Sequence, residues 1–159
     1  MALNNFLSQD TVGYSFDEEI FVVSLANESS ALTGSATQVP AGIAKRAGRI
    51  ADVFIGVGTP AVSASGFVSG TIDAQVRINS AAVLSTNPAI TMAGSAGAAG
   101  RKATNAGGGT SAVINQASAT FAKGGMISVD YNMRSVGSAA ATSAGTGLYI
   151  GVVVRYDAV

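Results

Sequence analysis

The sequence predicts an all-β protein, an antiparallel β-sandwich or barrel, and three observations support this. Residues 67–79 alternate without interruption between apolar and polar side chains, which fits a long strand with one buried and one solvated face. About eight strand-like segments follow one another, with Gly and Pro between them at close intervals. None of these segments has the periodicity of an amphipathic helix.

The chain divides near residue 45 into two parts. The front part, residues 1–44, has a strand-like apolar run at residues 20–25 and is too rich in aromatic residues for a disordered tail. Its aromatic residues are Phe6, Tyr14, Phe16 and Phe21. We expect residues 1–44 to be an N-terminal arm or strand for assembly contacts and residues 45–159 to be the sandwich domain. The run at 20–25 is either part of an arm that becomes ordered on binding or the first strand of the sandwich.

The second part consists of closely spaced strands. They are predicted at residues 49–57, 67–79, 80–84, 111–115, 117–122, 126–133 and 148–156. Residues 26–42, rich in Ser, Thr and Ala, are interpreted as an extended connection, and residues 94–110 as a long loop. The inward positions of the alternating runs predict the core: Val53, Ile55, Ile72, Val76, Ile78, Val129, Tyr131, Ile150, Val152 and Val154.

The strand at residues 49–57 has apolar side chains on both faces. Val53 and Ile55 lie on the face that is predicted to be buried, while Ile50 and Phe54 lie on the other. A second apolar face on a strand predicts a contact with another molecule. Ile50 and Phe54 therefore join the four aromatic residues of the front part as predicted interface residues.

The composition points to self-association. Charged residues are 11% of the chain, nine basic and nine acidic, against roughly 25% in ordinary globular proteins. With 20 glycines and many small residues, the surface is poor in charge, which favours an obligate assembly. We predict a homotrimer or another small closed ring.

Several classes of partner and location are disfavoured. A neutral chain without a basic cluster is a poor nucleic-acid binder. No apolar run approaches the roughly 20 residues that span a bilayer, so no membrane partner is expected. The N-terminus lacks the features of a signal peptide. No cysteine is present, which excludes disulfides and cysteine metal sites.

The residues needed for familiar catalysis are missing, and we expect no enzyme activity, no cofactor and no metal. Without histidine there is no Ser-His-Asp relay. Asp73 and Asp130, on polar strand faces, are the one candidate carboxylate pair for glycoside hydrolysis. Cross-strand pairing with Arg77 or Arg134 is the favoured interpretation of these aspartates. For glycan binding, tryptophan is absent and the candidates are Tyr14 and Tyr149.

A set of sequence motifs extends over most of the second part. Residues 70–90 read GTIDAQVRINSAAVLSTNPAI, a long strand that ends in Val-x-Ile-Asn, a small turn, and then Leu-Ser-Thr-x-Pro. Residues 122–130 read AKGGMISVD, a turn into a strand, and residues 146–154 read TGLYIGVVV. This pattern resembles the jelly-roll modules of tailed-phage virions, which serve as capsid decoration (cement) proteins and as distal tail or fibre modules.

The resemblance implies an antiparallel jelly-roll β-sandwich, with an extended N-terminal segment outside it. It implies a structural virion protein that is made in the host cytoplasm, binds the major capsid protein on the outer capsid surface and stabilises contacts between capsomers. The predicted interface residues would then contact the capsid or a sister subunit. The alternative is a tail or head-fibre module that binds host-surface glycan. The absence of tryptophan favours the cement role.

Overall fold

The computed structural model describes residues 17–24, 35–57, 59–60, 67–93, 102–103, 109–137 and 145–158. The strands in these residues are β1 (Asp17–Ser24), β2 (Ala36–Ile43), β3 (Gly48–Val57), β4 (Thr59–Pro60), β5 (Phe67–Ile78), β6 (Ala81–Ala82), β7 (Leu84–Thr86), β8 (Ala89–Ala93), β9 (Lys102–Ala103), β10 (Val113–Ile114), β11 (Thr120–Phe121), β12 (Met126–Gly137), β13 (Gly145–Thr146) and β14 (Tyr149–Tyr156). This part of the chain contains no helix long and apolar enough to cross a membrane.

Two five-stranded sheets form the two layers. Sheet A has the order β1-β14-β3-β11, and β9 also pairs with β3. Sheet B has the order β2-β12-β5-β6, and β8 also pairs with β5. Two short ladders, β10-β7 and β13-β4, complete the pairing, and every pair is antiparallel.

The order of the pairs is that of a jelly roll. The early strands β1, β2, β3 and β5 pair with β14, β12, β11 and β8, so that the first pairs with the last and the series closes inward. The chain is thus a long antiparallel ribbon wrapped into a two-layer sandwich, as in jelly-roll proteins. The predicted fold class, an antiparallel jelly-roll β-sandwich, is confirmed.

The core lies between the sheets and follows the period-2 pattern. In β5, Val76 and Ile78 are buried, and their partners in β12, Val129 and Ile127, are too. All the predicted core residues are buried except Tyr131. Tyr131 is half-buried and packs against the core, opposite Ala36, the first residue of β2.

The outward position predicted for Ile50 is wrong, because Ile50 is 1% exposed and lies in the core. The cause is a β-bulge in β3. Val153 pairs with Asp52 and Val154 pairs with Ile50, so Ala51 is an extra residue without a partner. One extra residue reverses the facing of everything before it. Ile50 and Val53 therefore point to the same side, although their spacing in a regular strand would oppose them.

Residues from the front part contribute a strand to each sheet. The run at residues 20–25 lies in β1 as far as Ser24, and β1 pairs along its whole length with β14. It is thus a strand of the sandwich. Residues 26–42 were expected to be a connection, but β2 begins at Ala36 and pairs with β12. The strand was not predicted because it contains Pro40, and proline is rare inside strands. Proline is tolerated here because β2 is an edge strand. The assembly role of residues 1–44 stays a prediction.

Candidate interaction faces

Outward positions in the middle of sheet A form an apolar surface, which borders the exposed Asp52 opposite Val153. The register aligns Ile20 of β1 with Val153 of β14, and Gly151 of β14 with both Val22 and Phe54. The side chains of Ile20 and Val22 are 55% and 59% exposed. We call this surface the outer apolar face, and its members are Ile20, Val22, Phe54, Tyr149 and Val153.

Two glycines create room for the rings on this face. Tyr149 pairs with Gly56, and Phe54 pairs with Gly151, so each ring lies over the glycine opposite it. A Cβ atom at Gly151 would lie 2.2 Å from Cζ of Phe54, and one at Gly56 would lie 1.9 Å from Cζ of Tyr149. The two rings meet edge to face, with centroids 6.2 Å apart. Each ring therefore occupies the space over the glycine opposite it and covers the backbone there.

Of the six predicted interface residues, the structure places one on this face. Phe54 is outward, whereas Ile50 is buried in the core. Phe21 points inward, half-buried, with its ring against Gly42 of β2, where it closes the gap between the two sheets. The remaining three, Phe6, Tyr14 and Phe16, lie outside the described residues.

Ion pairs anchor the acidic first half of β1 to the rest of the chain. Nε of Arg155 donates to Oε1 of Glu18 at 2.9 Å, Arg46 pairs with Asp17, and Nζ of Lys45 lies 3.3 Å from Oε2 of Glu19. Each of the three carboxylates of the strand therefore has a cationic partner in the same chain.

A buried phenol completes this anchor. The hydroxyl of Tyr156 donates to Oε2 of Glu19 at 2.6 Å, and its ring packs edge to face against Phe121. Burial and the hydrogen bond to Glu19 raise the pKa of Tyr156 to about 12, since both disfavour the phenolate. The first three residues of β1 are thus held by ion pairs at the surface and by the neutral hydroxyl of a buried tyrosine.

The outward positions of sheet B are polar and form a groove of about 430 Å³. Its lining is supplied mainly by β5 and β12 and by the turn before β8. The polar side chains that line it and form its hydrogen bonds are Asp73, Gln75, Arg77, Asn87, Asp130 and Asn132. We call it the polar groove.

The side chains of the polar groove bind one another and the backbone. Oδ2 of Asp130 accepts from Nε of Arg77 at 2.6 Å, and Oδ1 of Asp130 accepts from the N–H of Gln38 at 2.7 Å. The amide of Gln75 accepts from the N–H of Leu84 and donates to its carbonyl, as a paired strand would. These hydrogen bonds therefore hold β2 against β12 and hold β7 against β5.

The same contacts decide the roles of the two aspartates. Asp130 forms the predicted ion pair with Arg77, which confirms the cross-strand interpretation for this aspartate. Oδ1 of Asp73 accepts from Nδ2 of Asn87 at 3.2 Å. Within the described residues, no group of three or more acidic residues is placed to hold a metal ion.

No protein-family model matches the chain, and no curated protein does. Among solved structures, it is similar to a chain of desmodium yellow mottle tymovirus, with 12% sequence identity, 99% of this chain and 96% of that chain covered, and a TM-score of 0.37. A likeness this distant carries no argument about function. The strand order defines the class, an antiparallel jelly-roll sandwich.

Sequence reasoning missed the exposed half of the outer apolar face. In the structure, Ile20 and Val22 point outward while Phe21 and Val23 point inward. The sequence does not reveal this difference, because all four residues are apolar and the run resembles a strand that is buried on both faces. The polar groove was missed because Asn87 reaches it from a turn, which strand periodicity does not describe.

Proposed function

We propose that this protein is a decoration (cement) protein of a tailed-phage virion. It binds the major capsid protein on the outer surface of the shell and stabilises contacts between capsomers. The observation that carries the proposal is the outer apolar face on a chain with 11% charged residues. The motif resemblance adds support, because the jelly roll that it implied is the fold of the chain.

The proposed role is architectural, without catalysis or a cofactor. Both oxygens of Asp130 accept hydrogen bonds from within the chain, so this carboxylate is not poised as an acid or a nucleophile. A docking protein instead needs a rigid surface that loses water on contact. The outer apolar face provides one, since the Phe54 and Tyr149 rings are held over glycines and bring little side-chain entropy to lose.

A sedimentation experiment tests the proposal. Expanded shells are assembled from the major capsid protein of the same phage, and the purified protein is added. We expect saturable co-sedimentation. The substitution Phe54→Lys should weaken binding about tenfold or more, because it places a charge in an apolar contact.

The control is Thr37→Lys, which adds the same charge at an exposed position of β2 on the other sheet. It should leave binding unchanged. If the unaltered protein does not bind these shells, the cement role is wrong. If the two variants bind equally well, the role can stand but the outer apolar face is not the docking surface.

The alternative role, a tail or fibre module that binds host glycan, would use the polar groove. Its volume and its amides at Gln75, Asn87 and Asn132 favour this role, and the hydrogen bonds that already occupy Gln75 count against it. Titration of isotope-labelled protein with neutral oligosaccharides separates the two roles. Resonance shifts confined to the groove would favour the fibre module.

A further inference from the structure

The edges of the two sheets meet on one side of the sandwich, where β1 and β2 lie next to each other. Among the described residues, β1 pairs with β14 and with no other strand, and β2 pairs only with β12. Each therefore presents one row of backbone N–H and C=O groups away from its sheet. Such rows are templates for a strand from another chain.

The edge at β2 is protected against strand addition. It contains Pro40, which has no N–H to donate. Its pairing with β12 shifts register twice, and Gln38 has a positive φ of 54°, so its backbone is not extended there. An added strand could not follow this edge, since bulges and proline interrupt the hydrogen-bonding row.

The edge at β1 has none of these features. It pairs with β14 in unbroken register over eight residues and contains no proline, glycine or lysine. Its three carboxylates are neutralised by Arg46, Arg155 and Lys45 of the same chain, so little charge repels an approaching strand. Its second half, residues 20–24, is uncharged and includes the two most exposed side chains of the outer apolar face.

We propose that β1 pairs with β1 of a second copy of this chain, antiparallel, across a two-fold axis at Phe21. In this register Ile20 lies opposite Val22 of the partner subunit, and Val22 lies opposite Ile20 of the partner subunit. Both pairs face outward, as directly opposite residues in an antiparallel ladder must. The exposed residues thus cover one another and sheet A continues through the dimer.

The arrangement of charge selects this orientation. The acidic residues occupy the first half of β1, so the antiparallel register places Glu18 opposite Ser24 of the partner subunit. A parallel pairing would bring Glu18 close to its own copy, which is unfavourable. The pairing also doubles the outer apolar face. It proposes a two-fold dimer in place of the homotrimer expected from the composition, and it stands or falls independently of capsid binding.

Single cysteines test the register, because the chain has no cysteine of its own. Ile20→Cys and Val22→Cys proteins, distinguishable by a length tag, are mixed and oxidised mildly. We expect the mixed disulfide to form at least about tenfold faster than either homodimer, because opposite residues approach within disulfide range and diagonal ones do not. Ile43→Cys, a more exposed site on sheet B, gives the rate of random collision.

Sedimentation at micromolar concentration tests the association itself. The unaltered protein should be a dimer, and Val22→Lys should raise the dimer dissociation constant about tenfold or more. At concentrations low enough for both proteins to be monomeric, their thermal melting profiles should coincide. Ile43→Lys should have no effect. A monomer, a trimer, or mixed disulfides no faster than the Ile43→Cys control would overturn the two-fold pairing, whereas loss of shell binding alone would overturn only the proposed function.

Discussion

The two outer faces of the sandwich are built on the same alternation but differ in chemistry. On sheet B, the outward side chains of β5 and β12 are polar and bind one another. On sheet A, the outward positions of β1 and β14 present Ile20, Val22 and Val153, which have no polar contacts to make. A face whose polar groups mostly bind one another has little need of a partner, whereas an apolar face gains free energy when covered.

The comparison also separates what builds the fold from what builds the surface. The inward residues of the two sheets are of the same type, because Val and Ile predominate in both. The outward residues carry the difference, and they can be altered without touching the core. Substitutions in one layer of the sandwich should therefore leave the other layers unchanged.

The largest effect should come from the core that both faces share. Ile72→Asp places a carboxylate where the side chain is fully buried and should lower the free energy of unfolding by more than about 4 kcal/mol, which prevents folding. Val152→Asp should do the same. Thr71→Asp, one residue away and outward, is the control and should cost less than about 1 kcal/mol by urea denaturation. A folded Ile72→Asp protein would mean that the strand faces the other way.

The next largest effect concerns sheet B. Asp130→Asn removes the carboxylate that binds Arg77 and the N–H of Gln38, and its side chain is 14% exposed. We expect the free energy of unfolding to fall by about 1–3 kcal/mol, because charge-assisted hydrogen bonds are lost. Self-association should not change. Asp157→Asn, at an exposed carboxylate, should be neutral, and equal effects of both variants would show that the groove is not a structural fastener.

A smaller effect is expected on sheet A. Gly151→Ala should cost about 1–2 kcal/mol, since the new methyl group displaces the Phe54 ring. In a Phe54→Ala background the same substitution should be neutral or slightly stabilising, because alanine is better than glycine in a strand. A double-mutant cycle by thermal unfolding measures this coupling. Additive effects would mean that the ring does not lie over Gly151.

The smallest effect at neutral pH concerns the anchor of β1. Tyr156→Phe removes the hydrogen bond to Glu19 and should cost about 1 kcal/mol. The pKa of Tyr156 is raised from 10.0 to about 12 in the folded state, so its contribution is complete below pH 10 and is lost as the pH rises toward 12. Denaturation at several pH values should show a steeper decline for the unaltered protein than for the variant. Parallel declines would contradict this assignment.

Strict alternation made much of this fold predictable. The facing of β5 and β14 follows from residues such as Ile72 and Val152, each with polar or small neighbours. Jelly-roll wrapping, in contrast, depends on which strands pair over long separations, and no local pattern encodes that. It entered the prediction only through the motif resemblance of residues 70–90 and beyond.

Local irregularities explain the failures. The bulge at Ala51 cannot be recognised in the sequence, because alanine is compatible with either face of a strand. The bulge nevertheless turns Ile50 toward the core. β2 was hidden by Pro40, which is allowed only because the strand lies at an edge. The outer apolar face could be predicted in part: Phe54 was found, but Ile20 and Val22 lie in a run that is apolar on both sides.

The pairing of the first described strand with the last also dictates when the sandwich can be completed. Tyr156 and Glu19 are separated by 137 positions along the chain, and the backbone of β1 pairs over its whole length with the equally distant β14. During synthesis β1 leaves the ribosome early and must wait, unpaired, until β14 has emerged. Closing so long a loop is entropically costly and slow in β-rich folds. The uncharged Ile-Phe-Val-Val stretch is therefore open to misassembly throughout translation, and the acidic residues before it are its main protection at that stage.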